Sequence, residues 1–266
     1  MDITNKIALV TGGGRGIGRG IALVMAHSGA DVAIVDLHMS DAEAVAAEIV
    51  ALGRESMAVE ADVADQASVD SMVSAIMDRF GRIDILINNA GVIAAPEWES
   101  REMPGDEDWD LIFAINVRGM ARVTETVAPH MMQQRYGKIV NISSIAGRLG
   151  SKTSSPYSAS KAAVISMTQT AAVDLAEFNI NVNAICPGIL WTSMWQRIAA
   201  RYEKVNERDR GMSEREVFDR YVAERIPLGR EQTPEDIGNA AAFLASDLAS
   251  NITGQALNVS GGSHMN

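Results

Sequence analysis

The chain alternates short apolar runs with longer amphipathic stretches from one end to the other. Runs rich in apolar residues predict buried strands at residues 7–10, 31–35, 57–60, 83–88, 138–142, 181–185 and 255–258. Between them, apolar residues recur at helical spacing and predict helices at 17–28, 41–52, 68–80, 108–132, 157–178 and 234–246. Strands that alternate with helices in this way indicate an α/β fold, with one doubly wound parallel sheet covered by helices on both faces.

One segment breaks the alternation. Residues 191–226 carry many charges, predict no strand, and lie between Pro-Gly at 187–188 and Pro-Leu-Gly at 227–229. An insertion of this length in a compact fold is usually functional, most often as a lid over a site. The alternative is a helical excursion on the surface with no role. We therefore expect residues 1–266 to form one domain with a helical lid at about 189–226.

Composition and charge narrow the possible partners and the compartment. The chain has 34 acidic and 23 basic residues, a formal net charge of −11, and no basic cluster. Such a surface repels phosphate backbones, so we expect no nucleic-acid partner. The single cysteine, Cys186, allows no intrachain disulfide and favours a reducing compartment. Because no leader-like N-terminus and no long apolar run occur, we expect a cytoplasmic protein without a membrane span.

A glycine-rich turn, TGGGRGIG at residues 11–18, follows the first predicted strand and opens the first helix. Glycines let a backbone approach a pyrophosphate closely, and a helix N-terminus supplies N–H donors. The turn fits T-G-x-x-x-G-x-G but does not fit G-x-G-x-x-G at any register. The turn residues expected to contact a dinucleotide are Gly12, Gly14, Arg15, Gly16, Ile17 and Gly18.

Asp36 ends the second predicted strand and bears on the choice of cofactor. A carboxylate there can accept hydrogen bonds from both ribose hydroxyls of NAD and would repel the 2′-phosphate of NADP. A role in a turn or a helix cap stays open, because Ser40 and Asp41 lie nearby. We expect NAD as the cofactor. Arg15 could favour a 2′-phosphate, so NADP stays an alternative.

The next two strand ends carry further candidate cofactor contacts. Asp62 and Val63 follow the third strand, where they can contact adenine, although Asp62 could instead cap a helix. Asn88-Asn89-Ala90-Gly91 follows the fourth strand. Its small residues and amides suit either a close approach of the cofactor or simple anchoring of the strand. The candidate cofactor contacts in this stretch are Asn89, Ala90 and Gly91.

Ser144, Tyr157 and Lys161 form the candidate catalytic cluster. Tyr157 and Lys161 lie four residues apart in a predicted helix and therefore share one face. A phenol with a pKa of about 10 is a poor acid–base catalyst near neutrality, and a neighbouring ammonium is expected to lower that pKa. Ser144 ends the fifth strand and could donate a hydrogen bond to a substrate oxygen. Ser143 is the alternative serine.

These motifs together resemble the classical short-chain dehydrogenase/reductase family. The resemblance rests on TGGGRGIG at 11–18, NNAG at 88–91, Asn116, Ser144, YSASK at 157–161 and Pro-Gly at 187–188. The motifs come in the family's order, and Ser144 precedes Tyr157 by the family's thirteen residues. The resemblance spans nearly the whole chain. It implies a Rossmann-type fold and an enzyme that moves a hydride between nicotinamide and a secondary alcohol or its ketone.

The resemblance also implies a role for each matching residue. Tyr157 would be the general acid or base, Ser144 would polarise the carbonyl, and Lys161 would also hold the nicotinamide ribose. Asn116 would hold a water in a proton relay. The residues implied to contact the nicotinamide end of the cofactor are Tyr157, Lys161, Pro187, Gly188, Ile189 and Thr192. No metal is expected, since the chemistry needs none and no ligand-like set appears.

The family further implies a homotetramer built on the helices around 108–132 and 157–178 and on the C-terminal strand. Helices with apolar residues on more than one face, as at 159–175, agree with such burial.

The substrate is expected to be a small molecule. Together with Ser144, the lid residues Trp191, Met194 and Trp195 could wall an apolar pocket, or they could simply pack the lid. CPGI at 186–189, Met-Trp at 194–195 and the tail from 226 to 262 resemble the branch that oxidises polyols and vicinal diols, such as sorbitol and butanediol dehydrogenases. We therefore expect an NAD-dependent polyol, sugar-alcohol or diol dehydrogenase. The alternatives are a 3-oxoacyl or other ketone reductase using NADPH, and a non-catalytic dinucleotide sensor or scaffold.

Overall fold

The computed structural model describes residues 1–151 and 153–265. Its centre is a seven-stranded sheet with the order β3-β2-β1-β4-β5-β6-β7, and every neighbouring pair of strands is parallel. The strands are β1 (Ile7–Thr11), β2 (Asp31–Asp36), β3 (Ser56–Glu60), β4 (Ile85–Asn88), β5 (Gly137–Ile142), β6 (Ile180–Pro187) and β7 (Ala256–Val259). The predicted α/β fold with a doubly wound parallel sheet is confirmed.

Helices cover both faces of the sheet. They are α1 (Gly16–His27), α2 (Met39–Ala51), α3 (Gln66–Phe80), α4 (Asp106–Ile112), α5 (Met120–Gln134), α6 (Ser155–Leu175), α7 (Ser193–Val205), α8 (Glu214–Arg225) and α9 (Pro234–Ala245). Val10 and Ile34 pack into one core with α1, α2 and α9, whereas Leu9 and Val35 pack into the other with α3, α5 and α6. This alternation follows from the two-residue period of a strand, and it explains why the strands are apolar throughout.

The strand order reverses between β1 and β4. The chain winds outward from β1 to β3 and then returns to place β4 against the other side of β1. In open α/β sheets the connections after such a pair of strands diverge and leave a crevice at their carboxyl ends. The glycine-rich turn after β1 and the small residues after β4 therefore lie at the same edge of the sheet.

The expectation of one continuous helix at 108–132 is wrong. A π-helical turn, Phe113–Gly119, separates α4 from α5. The Asn116 side chain, in the middle of this turn, accepts a hydrogen bond from Val92 N–H (2.8 Å) and donates one to Val92 O (2.9 Å). This pair of bonds holds Asn116 against the segment after β4. The π-helical turn contains one residue more than an α-helical turn, and this extra residue lets the Asn116 side chain lie beside Val92.

The segment that the sequence predicts to be a lid, residues 189–226, folds into α7 and α8, which are joined through a short 3₁₀ helix, Glu207–Asp209. We keep the name lid segment for these residues. The lid segment has its own apolar cluster, in which Ala199, Val217 and Phe218 are fully buried. Within the described part of the chain, no helix is both long enough and apolar enough to cross a membrane.

Candidate active site

A cavity of about 560 Å³ opens at the carboxyl edge of the sheet, beneath the lid segment. Its walls come from the ends of β1, β2, β4, β5 and β6, from the start of α6, and from α7 and α8. The predicted cofactor contacts that line it are Gly12, Arg15, Gly16, Ile17, Gly18, Asp36, Asp62, Val63, Asn89, Ala90, Gly91, Tyr157, Lys161, Pro187, Gly188, Ile189 and Thr192. Residues from distant parts of the sequence therefore meet in one cleft.

The glycine-rich turn is shaped by two close approaches that need glycine. Gly12 has a φ of +60°, and a Cβ added there would lie 2.9 Å from Ala90 Cα. A Cβ on Gly18 would lie only 2.0 Å from Gly12 O, so the start of α1 packs directly on the turn. Asn89 Nδ2 donates hydrogen bonds to Thr11 O (3.0 Å) and Gly12 O (2.9 Å) and ties β4 to the turn. A backbone cradle of this kind suits a pyrophosphate.

Asp36 ends β2 and lines the cavity, although its side chain is largely buried. Its Oδ2 accepts a hydrogen bond from Gly14 N–H (3.0 Å), and its Oδ1 accepts one from His38 N–H (3.3 Å). Gly14 itself does not line the cavity, and its backbone fixes the carboxylate instead. Arg15, the first residue before α1, is exposed beside the same opening. These contacts hold the Asp36 carboxylate at the end of β2, at the edge of the cavity.

The structure excludes one of the two interpretations of Asp62, the helix cap. Its Oδ1 accepts a hydrogen bond from Ala64 N–H (2.8 Å) within a tight turn. The residue that caps α3 is Asp65, whose side chain accepts from Ala67 N–H. Asp62 therefore shapes the cavity wall next to Val63 and does not cap the helix.

Ser144, Tyr157 and Lys161 converge in the cavity. Lys161 Nζ is buried, donates a hydrogen bond to Ile142 O (2.8 Å) at the end of β5, and lies 5.7 Å from the centre of the Tyr157 ring. Ser143 Oγ donates to Lys161 O (2.8 Å). Because that bond occupies Ser143 in holding α6 to β5, the geometry favours Ser144 as the serine that faces a substrate.

The pKa of Tyr157 departs from the sequence-based expectation. Burial in the cavity raises it to about 12, and the opposing effect of the Ser144 hydroxyl is smaller. Burial likewise lowers the pKa of Lys161 to about 8. Desolvation therefore outweighs any stabilisation of the phenolate by the ammonium. In this structure the phenol therefore keeps its proton at neutral pH.

Asn116 is buried behind this cluster and does not line the cavity. Besides its two bonds to Val92, its Nδ2 donates to Ser160 Oγ (3.1 Å) on α6. A Cβ on Gly91 would meet Asn116 Oδ1 at 3.1 Å and Lys161 Nζ at 3.5 Å, so the three groups pack around one point. Asn116 thereby links the helix that carries Tyr157 to the segment after β4.

The segment after β6 bends and lies above the glycine-rich turn. Ile189 N–H donates to Gln232 Oε1 (2.9 Å), which fixes the backbone beyond Pro187. Thr192 caps α7, and its side chain lies over Gly16, where a Cβ would be 3.7 Å from Thr192 Cγ2. The lid segment therefore starts directly above the candidate pyrophosphate site.

Met194 and Trp195 line the cavity, whereas Trp191 does not. The Trp191 ring packs on Phe218 at 5.0 Å between centroids, which matches its alternative role of packing the lid. Other residues that line the cavity, and that the sequence patterns did not indicate, include Ile93, Ile198, Tyr202, Tyr221 and Arg225. The positions 194, 195, 198 and 202 share one face of α7, so helical spacing counted from Met194 would have indicated two of them.

No group of three or more His, Cys, Asp or Glu side chains in the described ranges has the arrangement of a metal site.

Comparison with known proteins identifies the family. A family model described as enoyl-(acyl carrier protein) reductase matches residues 12–264. The chain is 42% identical over 267 residues to a sorbitol dehydrogenase of Cereibacter sphaeroides, with 100% of both chains covered. It is 40% identical over 262 residues to a 3-oxoacyl-(acyl-carrier-protein) reductase of Staphylococcus epidermidis, with 98% of this chain and 100% of the relative covered. A galactitol 2-dehydrogenase of Agrobacterium fabrum is 40% identical over 268 residues, with 100% of both covered.

A solved structure agrees with these relatives. The structure of an NAD⁺-bound xylitol dehydrogenase superposes with a TM-score of 0.89 at 33% identity, covering 98% of this chain and 100% of that one. The chain belongs to the short-chain dehydrogenase/reductase family, and the predicted resemblance is confirmed. It is an oxidoreductase acting on CH–OH groups and their carbonyl counterparts, with a nicotinamide dinucleotide as the cofactor typical of the family.

Proposed function

We propose that the protein is an NAD(H)-dependent dehydrogenase that oxidises a small polyol, sugar alcohol or vicinal diol at a secondary carbon. The observation that carries the proposal is the meeting of Asp36, Ser144, Tyr157 and Lys161 in one cavity. The first of these selects the cofactor, and the other three supply acid–base chemistry. The relatives named sorbitol and galactitol dehydrogenases support the substrate class.

The residues of the cavity fit an NAD molecule. At Gly12 and Gly18 a Cβ would collide with neighbouring protein atoms, so only glycine allows the tight turn whose backbone would hold a pyrophosphate. The Asp36 carboxylate would accept hydrogen bonds from the ribose hydroxyls and repel a 2′-phosphate. Lys161 would hold the second ribose, and the backbone after Pro187 with the Thr192 side chain would hold the carboxamide. When bound, NAD accepts the hydride that leaves the carbinol carbon.

In our proposal the side chains manage the proton. Tyr157 takes it from the substrate hydroxyl during oxidation and returns it to the carbonyl oxygen during reduction. Ser144 donates a hydrogen bond to that oxygen. Lys161 and the positive charge of bound NAD⁺ would together lower the pKa of Tyr157, so that its phenolate can act as the base during oxidation. Asn116 acts from behind by fixing the position of α6 through Ser160, and it would hold the water that completes a proton relay.

A second candidate is a 3-oxoacyl reductase that uses NADPH. It is favoured by the 40% identity to a 3-oxoacyl-(acyl-carrier-protein) reductase. The buried Asp36 carboxylate opposes it, because a 2′-phosphate would meet this negative charge at the end of β2. The sensor or scaffold alternative is opposed by the intact catalytic set.

The deciding experiment measures absorbance at the reduced-nicotinamide band in two panels. The first combines NAD or NADP with polyols, diols and simple secondary alcohols, and the second combines NADPH with 3-oxoacyl thioesters and other ketones. We expect NAD reduction with a polyol or diol. Activity only with NADPH and 3-oxoacyl thioesters would replace the proposal with the second candidate. NAD binding by a protein that turns over no substrate in either panel would favour a sensor.

We also propose that the protein assembles as a homotetramer through the helices at 108–132, through α6 and through β7. On α6, Val173 is 77% exposed, and on the edge strand β7, Leu257 is 42% exposed. Apolar side chains on these two elements would gain from burial in a subunit interface. Size-exclusion chromatography with light scattering tests this assembly, and a monomeric mass at micromolar protein concentration would reject it.

A further inference from the structure

Arg201 is the largest fully buried side chain in the described parts of the molecule. It lies on α7, in the lid segment, which is otherwise rich in exposed charge. Within the described ranges no carboxylate forms an ion pair with it, and the surrounding protein lowers the pKa of its guanidinium through burial. A buried cation without a counter-ion is costly unless its donors are satisfied. The contacts that satisfy it therefore indicate its role.

The guanidinium is satisfied by backbone carbonyls from two separate segments. Nε and Nη2 both donate to Arg101 O, at 3.2 and 3.0 Å, and Nη2 also donates to Glu102 O at 2.6 Å. Nη1 donates to Thr153 O at 3.1 Å. The first segment follows β4, and the second leads into α6 just before Tyr157. One side chain on α7 thus joins the lid to both sides of the cavity.

An aromatic ring completes the contact. The guanidinium lies 4.4 Å from the centre of the Trp98 ring, and Trp98 is itself almost completely buried. Trp98 packs in a cluster with Ile93 and Ala94, and the side chains of Tyr157, Met194 and Ile198 pack against that cluster. Arg201 therefore rests on the same apolar group that touches the candidate catalytic tyrosine.

Two adjacent sets of side chains on α7 do different things. Met194, Trp195, Ile198 and Tyr202, which we call the substrate wall, line the cavity. One turn before Arg201, Arg197 forms an ion pair with Glu99 and donates to Ala95 O (3.0 Å). Both arginines thus fix α7 to the segment after β4, whereas the neighbouring face carries the substrate wall.

We propose that Arg201 is a positioning residue that clamps α7 onto the segments around Trp98 and Thr153, and thereby sets the distance between the substrate wall and Tyr157. An apolar residue could pack a helix without these bonds. A planar fork of donors is needed to join three carbonyls from two segments, and lysine cannot replace it. The proposed effect on an alcohol substrate rests on the proposed function, whereas the proposed positioning of α7 by Arg201 does not.

The test compares Arg201→Lys with Lys204→Met, an exposed change on the same helix. Hydrogen exchange measured by mass spectrometry reports on the clamp without any need for activity. We expect Arg201→Lys to speed exchange at residues 93–104 and 193–205 by about tenfold or more, as for the loss of a charge-assisted hydrogen bond. Exchange in α1 and β1 should stay as in the wild type. Equal exchange in both variants would overturn the proposal.

Steady-state kinetics provide the second readout. For Arg201→Lys we expect KM for the alcohol to rise about tenfold, with kcat and the dissociation constant of NAD changed less than about threefold, because the wall moves while the cofactor site does not. Lys204→Met should match the wild type. A parallel loss of NAD affinity and kcat would show general unfolding and contradict positioning. Wild-type protein that oxidises no alcohol would refute the proposed function and leave hydrogen exchange to decide the clamp.

If Arg201→Lys does not fold, Trp98→Phe tests the same contact more gently. The smaller ring keeps the cluster apolar and weakens the cation–π interaction. The same rise in KM, smaller than for Arg201→Lys, is expected. An unchanged KM with an intact fold would count against the clamp.

Discussion

The two ends of the cavity are held in place by different means. At the cofactor end, the walls are the ends of strands, and short contacts such as the hydrogen bond from the Asn89 side chain to Gly12 O fix them directly to one another. At the substrate end, the wall is one face of α7, which two arginine side chains hold against the segment after β4. The arrangement at the cofactor end leaves the glycine-rich turn little freedom to move. The arrangement at the substrate end allows the position of the substrate wall to change through substitutions of a few side chains, while the candidate catalytic residues stay in place.

This difference separates reaction type from specificity. Relatives of similar identity, 42% and 40%, have names as different as sorbitol dehydrogenase and 3-oxoacyl-(acyl-carrier-protein) reductase. The lid segment is the part whose packing depends on long side chains. Variants at the cofactor end should therefore change kcat or cofactor choice, and variants in the lid segment should change KM.

The largest effect is expected at Tyr157. Tyr157→Phe removes the proton-transferring hydroxyl and should lower kcat by about 10²–10⁴-fold while NAD still binds. Initial rates of NADH formation and fluorescence titration with NADH measure the two quantities. Tyr136→Phe is the matched control, because its hydroxyl bonds Asp247 (3.1 Å), outside the cavity. A variant Tyr157→Phe with wild-type kcat would show that another group moves the proton.

The next effect concerns cofactor choice. Asp36→Asn removes the charge that would repel a 2′-phosphate, so the ratio of kcat/KM for NAD to that for NADP should fall by about 10²-fold. Rates with both cofactors at a fixed alcohol concentration give this ratio. Asp31→Asn, at the opposite end of β2, is the control and should leave the ratio unchanged. The same ratio in both variants would contradict the role of Asp36.

Two tryptophans of the lid segment sharpen the comparison further. Trp191 and Trp195 both pack on Phe218, at 5.0 and 5.3 Å between ring centroids, but only Trp195 lines the cavity. Trp195→Leu should raise KM for the alcohol by about tenfold through lost contact area. Trp191→Leu should lower the free energy of unfolding by about 1–3 kcal/mol with little change in KM. Kinetics and urea unfolding of both variants test this contrast, and equal KM values would refute it.

The smallest effect is spectroscopic. Burial raises the pKa of Tyr157 to about 12, so its phenolate should form well above the value for free tyrosine. The ultraviolet difference between wild type and Tyr157→Phe, recorded in the absence of cofactor, isolates this group. We expect no phenolate signal from it at pH 10 and an increasing signal as pH approaches 12. A signal already complete at pH 9 would mean that Lys161 outweighs desolvation after all.

The sequence predicted the fold correctly, and the candidate cofactor residues that it indicated line one cavity, because the signals of both are local. The glycine turn and the four-residue spacing of Tyr157 and Lys161 can be recognised without knowing any distant contact. The substrate end lacked such signals. Arg201 and Arg101 are 100 residues apart in sequence, and nothing in either neighbourhood indicates that they meet. The raised pKa of Tyr157 also required the structure, since it depends on burial and not on the nearest charge.

The boundary between α4 and α5 shows another limit. Apolar spacing suggested one continuous helix at 108–132, because a single wide turn changes the periodicity too little to be detected. Only the bonds between Asn116 and Val92 explain where the turn occurs.

That wide turn contains one residue more than a regular α-helix of the same rise, so Phe113–Gly119 behaves like a tolerated single-residue insertion. Deleting one residue there would rewind the segment into an ordinary helix and rotate everything N-terminal to it by about 100° relative to α5. Asn116 would then leave Val92 and Ser160. The length of this stretch, counted in single residues, is thus as constrained as the identity of any side chain in the cavity.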